Sequence, residues 1–208
     1  CSSAGGNLNV QAANDLTLTA SDISAGKDAA LGAGNNHNLN AEQTEQSSRK
    51  GKSETHATGQ DRTTVSAGGD LKLAAGQDIT SQAAALAADK KVTIQAGRDV
   101  NLQAEATTQG DSYKSKNKTV IHESVRQQGT EIASGTDTVI VAGRDVTSAA
   151  SDVLAKGDIG VSAGRDITLT TATESDYSYR ENITPQKGFL SKQNTHTTNE
   201  ASPTHRKV

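Results

Sequence analysis

Gly97-Arg98-Asp99-Val100-Asn101-Leu102 decides the fold, because Gly-x-Asp followed by aliphatic-x-aliphatic returns along the chain at fixed intervals. Ordered by the Asp or its stand-in, the copies fall into three sets: Asn7, Asp15, Asp28, Asn36; Asp70, Asp78, Lys91, Asp99; and Asp137, Asp145, Asp158, Asp166. Each set has the spacing 8, 13, 8, and the sets are separated by steps of 34 and 38. A step of 8 and a step of 13 make a coil of 21 residues, the signature of a solenoid. One and three residues after most of these positions stand aliphatic pairs, such as Leu71 and Leu73, Val92 and Ile94, Ile167 and Leu169. That period of two is a strand with one face inward. A third inward position lies five residues before the Asp that opens the next coil, at Ile23, Val65, Leu86, Ile132 and Val153.

Three short strands per coil, separated by Gly-x-Asp corners, predict an all-β protein. The expected fold is a right-handed parallel β-helix of 21-residue coils with hairpin or loop insertions outside the helix. At the corners, Gly is expected to supply positive φ, and Asp or Asn to cap amides within its own turn. Ser81 and Ser148 replace the second inward aliphatic, and His37 and Thr138 the first, so those coils are expected to be weaker or locally rotated. Propensity alone favours a helix across the Ala-rich stretch Gln82 to Lys90, but Leu86 falls on the third-strand position, which argues for strand.

The composition agrees with a narrow interior. Of the 208 residues 32% are hydrophobic and 2% aromatic, with no Trp or Met, where a compact globule has about 45–50% apolar residues. The longest aliphatic cluster, Val139-Ile140-Val141-Ala142, is far short of the roughly 20 residues of a membrane helix. No basic-then-apolar leader occurs in this stretch. With 21 basic and 24 acidic residues, the charge predicts no nucleic-acid partner. The single cysteine, Cys1, forms no internal disulfide and is read as the edge of a longer chain rather than a lipidation site.

The two jumps between sets are insertions at about 41–64 and 104–131, and a third, 172–208, does not return to a coil; together they divide the chain into modules 1–64, 65–131 and 132–208. They hold all four aromatics (Tyr113, Tyr177, Tyr179, Phe189), both prolines, four of five histidines and 13 of 21 Lys and Arg. Loops longer than about 12–15 residues are usually functional or disordered. The four aromatics are therefore the candidate interaction residues, on partly ordered hairpins or loops standing off the coils. The chain stops inside the third insertion, so a parent protein is expected to continue with Gly near position 209 and a further Gly-x-Asp.

His122-Glu123 begins a zinc-protease pattern, but Arg126 stands where the second His belongs. Gly97-Arg98-Asp99, Gly143-Arg144-Asp145 and Gly164-Arg165-Asp166 have the wrong order for the Arg-Gly-Asp adhesion motif and sit on corners. The calcium-binding Gly-Gly-x-Gly-x-Asp register is missing, as is a Walker-type phosphate loop. Asn117-Lys118-Thr119 and Asn182-Ile183-Thr184 match the glycosylation triplet, which is common by chance. No catalytic residue, metal site or cofactor is predicted. A polysaccharide-active β-helix enzyme is the remaining catalytic alternative.

The motif Ala-Gly-Arg-Asp-(Val/Ile)-x-(Leu/Ser) at Ala96–Leu102, Ala142–Ser148 and Ala163–Leu169 resembles the haemagglutinin repeat of large bacterial exoproteins. These include filamentous haemagglutinin adhesins and the toxin-delivery filaments of contact-dependent growth inhibition. Gln186 to Lys192, followed by Thr195-His196-Thr197-Thr198, resembles the extra-helical part of the repeat class in the distal half of such filaments, and Gly129-Thr130-Glu131-Ile132 the return into a coil. The departures are the missing Gly before Asp15, Lys91, and the worn corner Gly34-Asn35-Asn36. The resemblance implies a secreted, cell-surface filament exported through an outer-membrane transporter by the two-partner route, with the transporter-recognition region and the toxin elsewhere. It implies no catalysis in this segment. The implied partners are neighbouring filament segments and, in use, the target-cell outer membrane or a host surface. Two functions compete: carriage of a toxin across the target outer membrane, and adhesion to host cells or in biofilms.

Overall fold

The computed structural model describes residues 2–187 and 192–207, and every regular element among them is a strand. The chain divides into a coil unit (Cys1–Glu42, Gln60–Glu105, Gln128–Ala172) and a hairpin unit (Gln43–Gly59, Ala106–Gln127, Thr173–Val208).

The coil unit is a right-handed parallel β-helix of three parallel sheets, each built from six strands. The first sheet stacks Ser2–Ala4, Asp22–Ala25, Thr64–Ala67, Ala85–Ala88, Glu131–Ser134 and Asp152–Ala155 in chain order. The second runs from Leu8–Ala12 to Ile159–Ala163, and the third from Leu16–Thr19 to Ile167–Thr170. One strand of each sheet makes a coil, and the expected inward residues lie above one another. Ile23, Val65, Leu86, Ile132 and Val153 form one column. Val10, Leu31, Leu73, Ile94, Ile140 and Val161 form another. The Ala-rich stretch supplies the strand Ala85–Ala88, so packing overrides helix propensity there. Alanines 12, 33, 75, 96, 142 and 163 make a third column, which keeps the interior narrow.

The polar replacements do not rotate their coils, contrary to the sequence expectation. Ser81 and Thr138 keep register with their neighbours, because each hydroxyl finds a partner inside. Ser81 Oγ lies 2.8 Å from Thr130 Oγ1, and Thr138 Oγ1 2.8 Å from Ser134 Oγ. His37 also keeps register, between Leu16 and Ile79, but is fully buried with neither ring nitrogen hydrogen-bonded.

The corners work differently from the sequence reading on two counts. Among the described residues only Gly51 is a positive-φ glycine, so the corner glycines serve another purpose. A Cβ on Gly76, Gly97, Gly143 or Gly164 would lie 2.0–2.1 Å from the carbonyl oxygen of the glycine one coil before. The corner is glycine because the coils touch there. Likewise the Asp and Asn oxygens accept from the equivalent amide in the next coil rather than capping their own turn. Asp28 Oδ1 accepts from Asp70 N (2.9 Å) and Asp70 Oδ1 from Lys91 N (3.1 Å). At the other corner Asp15, Asn36, Asp78, Asp99 and Asp145 hand the bond on in the same way.

Lys91 receives this bond but has no oxygen to offer the next coil. Lys91→Asn, which restores an acceptor beneath Asp137, is therefore expected to raise stability by about 1 kcal/mol, read as a higher urea midpoint at unchanged slope.

The Arg of Gly-Arg-Asp also reaches one coil back. Arg98 grips Asp78 through Nε (3.0 Å) and Nη2 (2.5 Å), and Arg144 grips Asp99 in the same fork. Arg165 does the same to Asp145. Hydrogen bonds from Arg144 and Arg165 hold the Asp99 and Asp145 carboxyls below the usual carboxylate range. These bridges therefore persist at neutral pH and weaken only in acid.

The third corner alternates. Coils one, three and five pass directly to the next coil through Ala20, Ala83 and Ala150, each left-handed at φ 46, 49 and 44°. After coils two, four and six the chain leaves for a hairpin. Where it returns, Thr63 donates to the carbonyls of Asn40 (2.7 Å) and Leu18 (3.2 Å). Arg62 donates to the Ala83 and Ala84 carbonyls and pairs with Glu131 at 3.3 Å.

The hairpin unit is a six-stranded antiparallel sheet. Its strands, from one edge to the other, are Glu42–Lys50, Ser53–Asp61, Glu105–Lys114, Lys118–Gln128, Thr173–Lys187 and Lys192–Lys207. The insertions are thus hairpins that pair with one another, an association absent from the sequence reading. Between the first two hairpins His56 stands opposite Gly110, and a Cβ there would lie 2.2 Å from the His56 ring. The glycine makes room for the imidazole.

Candidate interaction surface

Strand alternation assigns the candidate aromatics to faces of the hairpin sheet. Tyr177 stands opposite Glu123 and Tyr179 opposite Ile121, two positions apart, so both half-buried rings share one face. Tyr113 does not join them. Its ring centroid lies 6.0 Å from Lys118 Nζ, and Lys118 is an odd number of positions from Ile121 in the same strand, hence on the other face. Phe189 and Cys1 lie outside the described residues. The sequence could not separate Tyr113 from the pair because the pairing register of the hairpins sets the faces.

The face that carries Tyr113 is polar. Gln109, Asp111, His122, Ser124, Asp176 and Ser178 line a depression of about 300 Å³, which Glu123 and Tyr177 also border. Arg126, the residue that breaks the zinc-like pattern, bonds Asp176 Oδ1 at 2.7 Å. Among the described residues no three His, Cys, Asp or Glu side chains are grouped to hold a metal ion.

The face that carries the tyrosine pair has a second feature, unmarked in the sequence reading. Arg49, Lys52 and Lys114, with Glu54, Ser112 and Ile121, line a cleft of about 230 Å³ over Gly51. The turns of the first two hairpins build it: Lys114 N donates to the Lys52 carbonyl at 2.9 Å, and Glu54 stands opposite Ser112. None of the three cations has an ion-pair partner among the described residues. Ile121, on the cleft wall, is also the residue opposite Tyr179, so cleft and tyrosines adjoin. A signal was available in the lysines that bracket the first two hairpin turns: Lys50 and Lys52, Lys114 and Lys118.

Comparison with known proteins agrees with this architecture. Residues 2–56, 47–122 and 110–202 match the hemagglutinin repeat, and the chain belongs to that family. It is 52% identical over 197 residues to the tRNA nuclease CdiA of Escherichia coli strain STEC_O31, covering 95% of this chain and 6% of that protein. Over 127 residues it is 56% identical to the 16S rRNA endonuclease CdiA of Enterobacter cloacae subsp. cloacae, covering 61% of this chain and 4% of the relative. The deoxyribonuclease CdiA of Dickeya dadantii strain 3937 is 37% identical over 209 residues, with 99% and 6% covered. The matched stretch thus spans only 4–6% of the length of these relatives. No solved structure matches it.

Proposed function

We propose that this chain is a non-catalytic filament segment of a secreted bacterial surface exoprotein. Its coils form a structural rod, its hairpins are the interaction surface, and the whole serves contact-dependent toxin delivery across the target-cell outer membrane. The observation that carries this is the pairing of a shared segment with unlike activities. Relatives named for tRNA, 16S rRNA and DNA cleavage share this stretch, which is only 4–6% of each. A segment common to proteins that differ in what they cut serves a step they have in common.

The coil unit supports the rod. Ile159, Ile167 and Leu169, inward positions of the sixth coil, are 49, 49 and 75% exposed. They offer an apolar seat for a neighbouring coil of the same filament. The repeating module is two coils with one hairpin, in the divisions 1–64, 65–131 and 132–208. Export uses an outer-membrane transporter that recognises a region outside this segment, and the target-cell outer membrane is the partner of the hairpins.

The test uses the full exoprotein, with residues 43–59 and 106–127 each replaced by the direct Ala-Ser corner found at Ala20-Ser21. The expected result is normal surface display with toxin delivery reduced at least about tenfold. Unchanged delivery contradicts the proposal, and lost host-cell attachment with delivery intact favours the adhesin instead.

A further inference from the structure

We infer that the cleft of Arg49, Lys52 and Lys114 binds the phosphate of an anionic lipid headgroup, with Tyr177 and Tyr179 resting beside it at the lipid interface. This rests on the reading of the hairpin sheet as the surface presented to a membrane.

Three observations converge. The cleft, at about 230 Å³, admits a phosphate with part of its headgroup and closes on it with three cations from two hairpin turns. Those cations have no carboxylate partner among the described residues, so an incoming anion displaces no ion pair. Gly51, at φ 62° and with no atom within 4 Å of a Cβ position, leaves the mouth open. Arginine offers the planar fork that grips phosphate, and the lysines add mobile point charges.

The neighbours choose the source. Glu54 stands in the cleft for any phosphate, but a polynucleotide laying successive phosphates along the face would also meet Glu123 opposite Tyr177. A single headgroup avoids that row. Free phosphate would use the cations alone, whereas a lipid also engages Tyr177, Tyr179 and Ile121, the amphipathic and apolar side chains that favour a membrane interface.

The test is co-sedimentation of the 208-residue chain with vesicles of phosphatidylcholine alone and of phosphatidylcholine containing roughly one-fifth phosphatidate. The inference expects binding to the phosphatidate vesicles at least about tenfold tighter, weakening with salt. Lys52→Gln with Lys114→Gln should weaken it by about thirtyfold, at roughly fivefold per lost cation. Lys27→Gln with Lys72→Gln, the same charge removed from the coils, should change it by less than about twofold. Unchanged thermal melting of both double variants shows that folding is intact.

Equal affinity for neutral vesicles overturns the inference, as does phosphatidate binding that the cleft variant leaves untouched. In the latter case the membrane-facing reading stands and the cleft alone fails. Tighter binding to an oligonucleotide, or inorganic phosphate binding with none to vesicles, overturns the lipid source. Failure of all vesicle binding, together with intact delivery in the hairpin-replaced exoprotein, brings down the parent reading.

Discussion

Gly97→Ala is expected to destabilise the coil unit by about 3 kcal/mol or more. The new methyl carbon would sit 2.1 Å from the Gly76 oxygen and 2.9 Å from its carbonyl carbon, more than 1 Å inside a normal contact. The obstruction is backbone, so no rotamer change relieves it, and the third and fourth coils must separate. Separation stretches Gly97 N to Ala75 O (3.0 Å) and Arg98 N to Gln77 O (2.8 Å), and pulls Arg98 from Asp78. Gly160→Ala is the control, because a Cβ there meets nothing within 4 Å. It should be neutral or slightly stabilising, since alanine restricts the unfolded chain. Urea midpoints of the two variants against the parent measure the difference. A Gly97→Ala protein as stable as Gly160→Ala would show that the coils are not stacked at that corner.

The second large effect concerns acid. His37 lies in the apolar column between Leu16 and Ile79, and burial lowers its pKa from 6.5 to about 4. The folded state therefore binds fewer protons than the unfolded state between those values. Stability is fully present above about pH 6.5 and falls as pH drops toward 4, by roughly 3 kcal/mol from this group. Its two unbonded nitrogens also cost stability at neutral pH. His37→Leu, which matches the aliphatic column, should stabilise the protein by about 1–3 kcal/mol at pH 7.5. The same change should remove most of the loss between pH 6.5 and 4. Denaturant titrations across that range in both proteins measure it, and a His37→Leu protein with the parental pH slope contradicts the assignment.

Most of the coil unit was legible because a solenoid writes its geometry into spacing. The 8 and 13 steps fixed two strands per coil, and Ile23, Val65, Leu86, Ile132 and Val153 marked the third. The chemistry of the corners was less legible, since its partners lie 21 residues or more away. Asp99 N bonds Asp78 across 21 residues and Asp145 N bonds Asp99 across 46. A local reading of Gly-x-Asp therefore turned to positive φ and turn capping. The Arg offered a hint in retrospect: Arg98, Arg144 and Arg165 occur where the preceding coil has Asp, and Gln77 occurs over Asn36.

The candidate surface was legible in content and illegible in arrangement. The insertions stood out by their aromatics and charge. Their union into one sheet rests on pairing between segments far apart in the chain, such as 53–57 with 109–113, and the faces depend on cross-strand register. That register separates Tyr113 from Tyr177 and Tyr179, and brings Lys52 beside Lys114 across more than 60 residues of chain.

Whether the hairpins form one sheet is the claim on which both the surface and its cleft depend. Cross-strand Hα–Hα nuclear Overhauser contacts in the 208-residue chain test it most directly. The structure requires them between residues 53–57 and 109–113, and between 118–125 and 175–182, at alternate pairs of the register. Contacts confined to the strands within each hairpin would mean three independent arms and contradict the account.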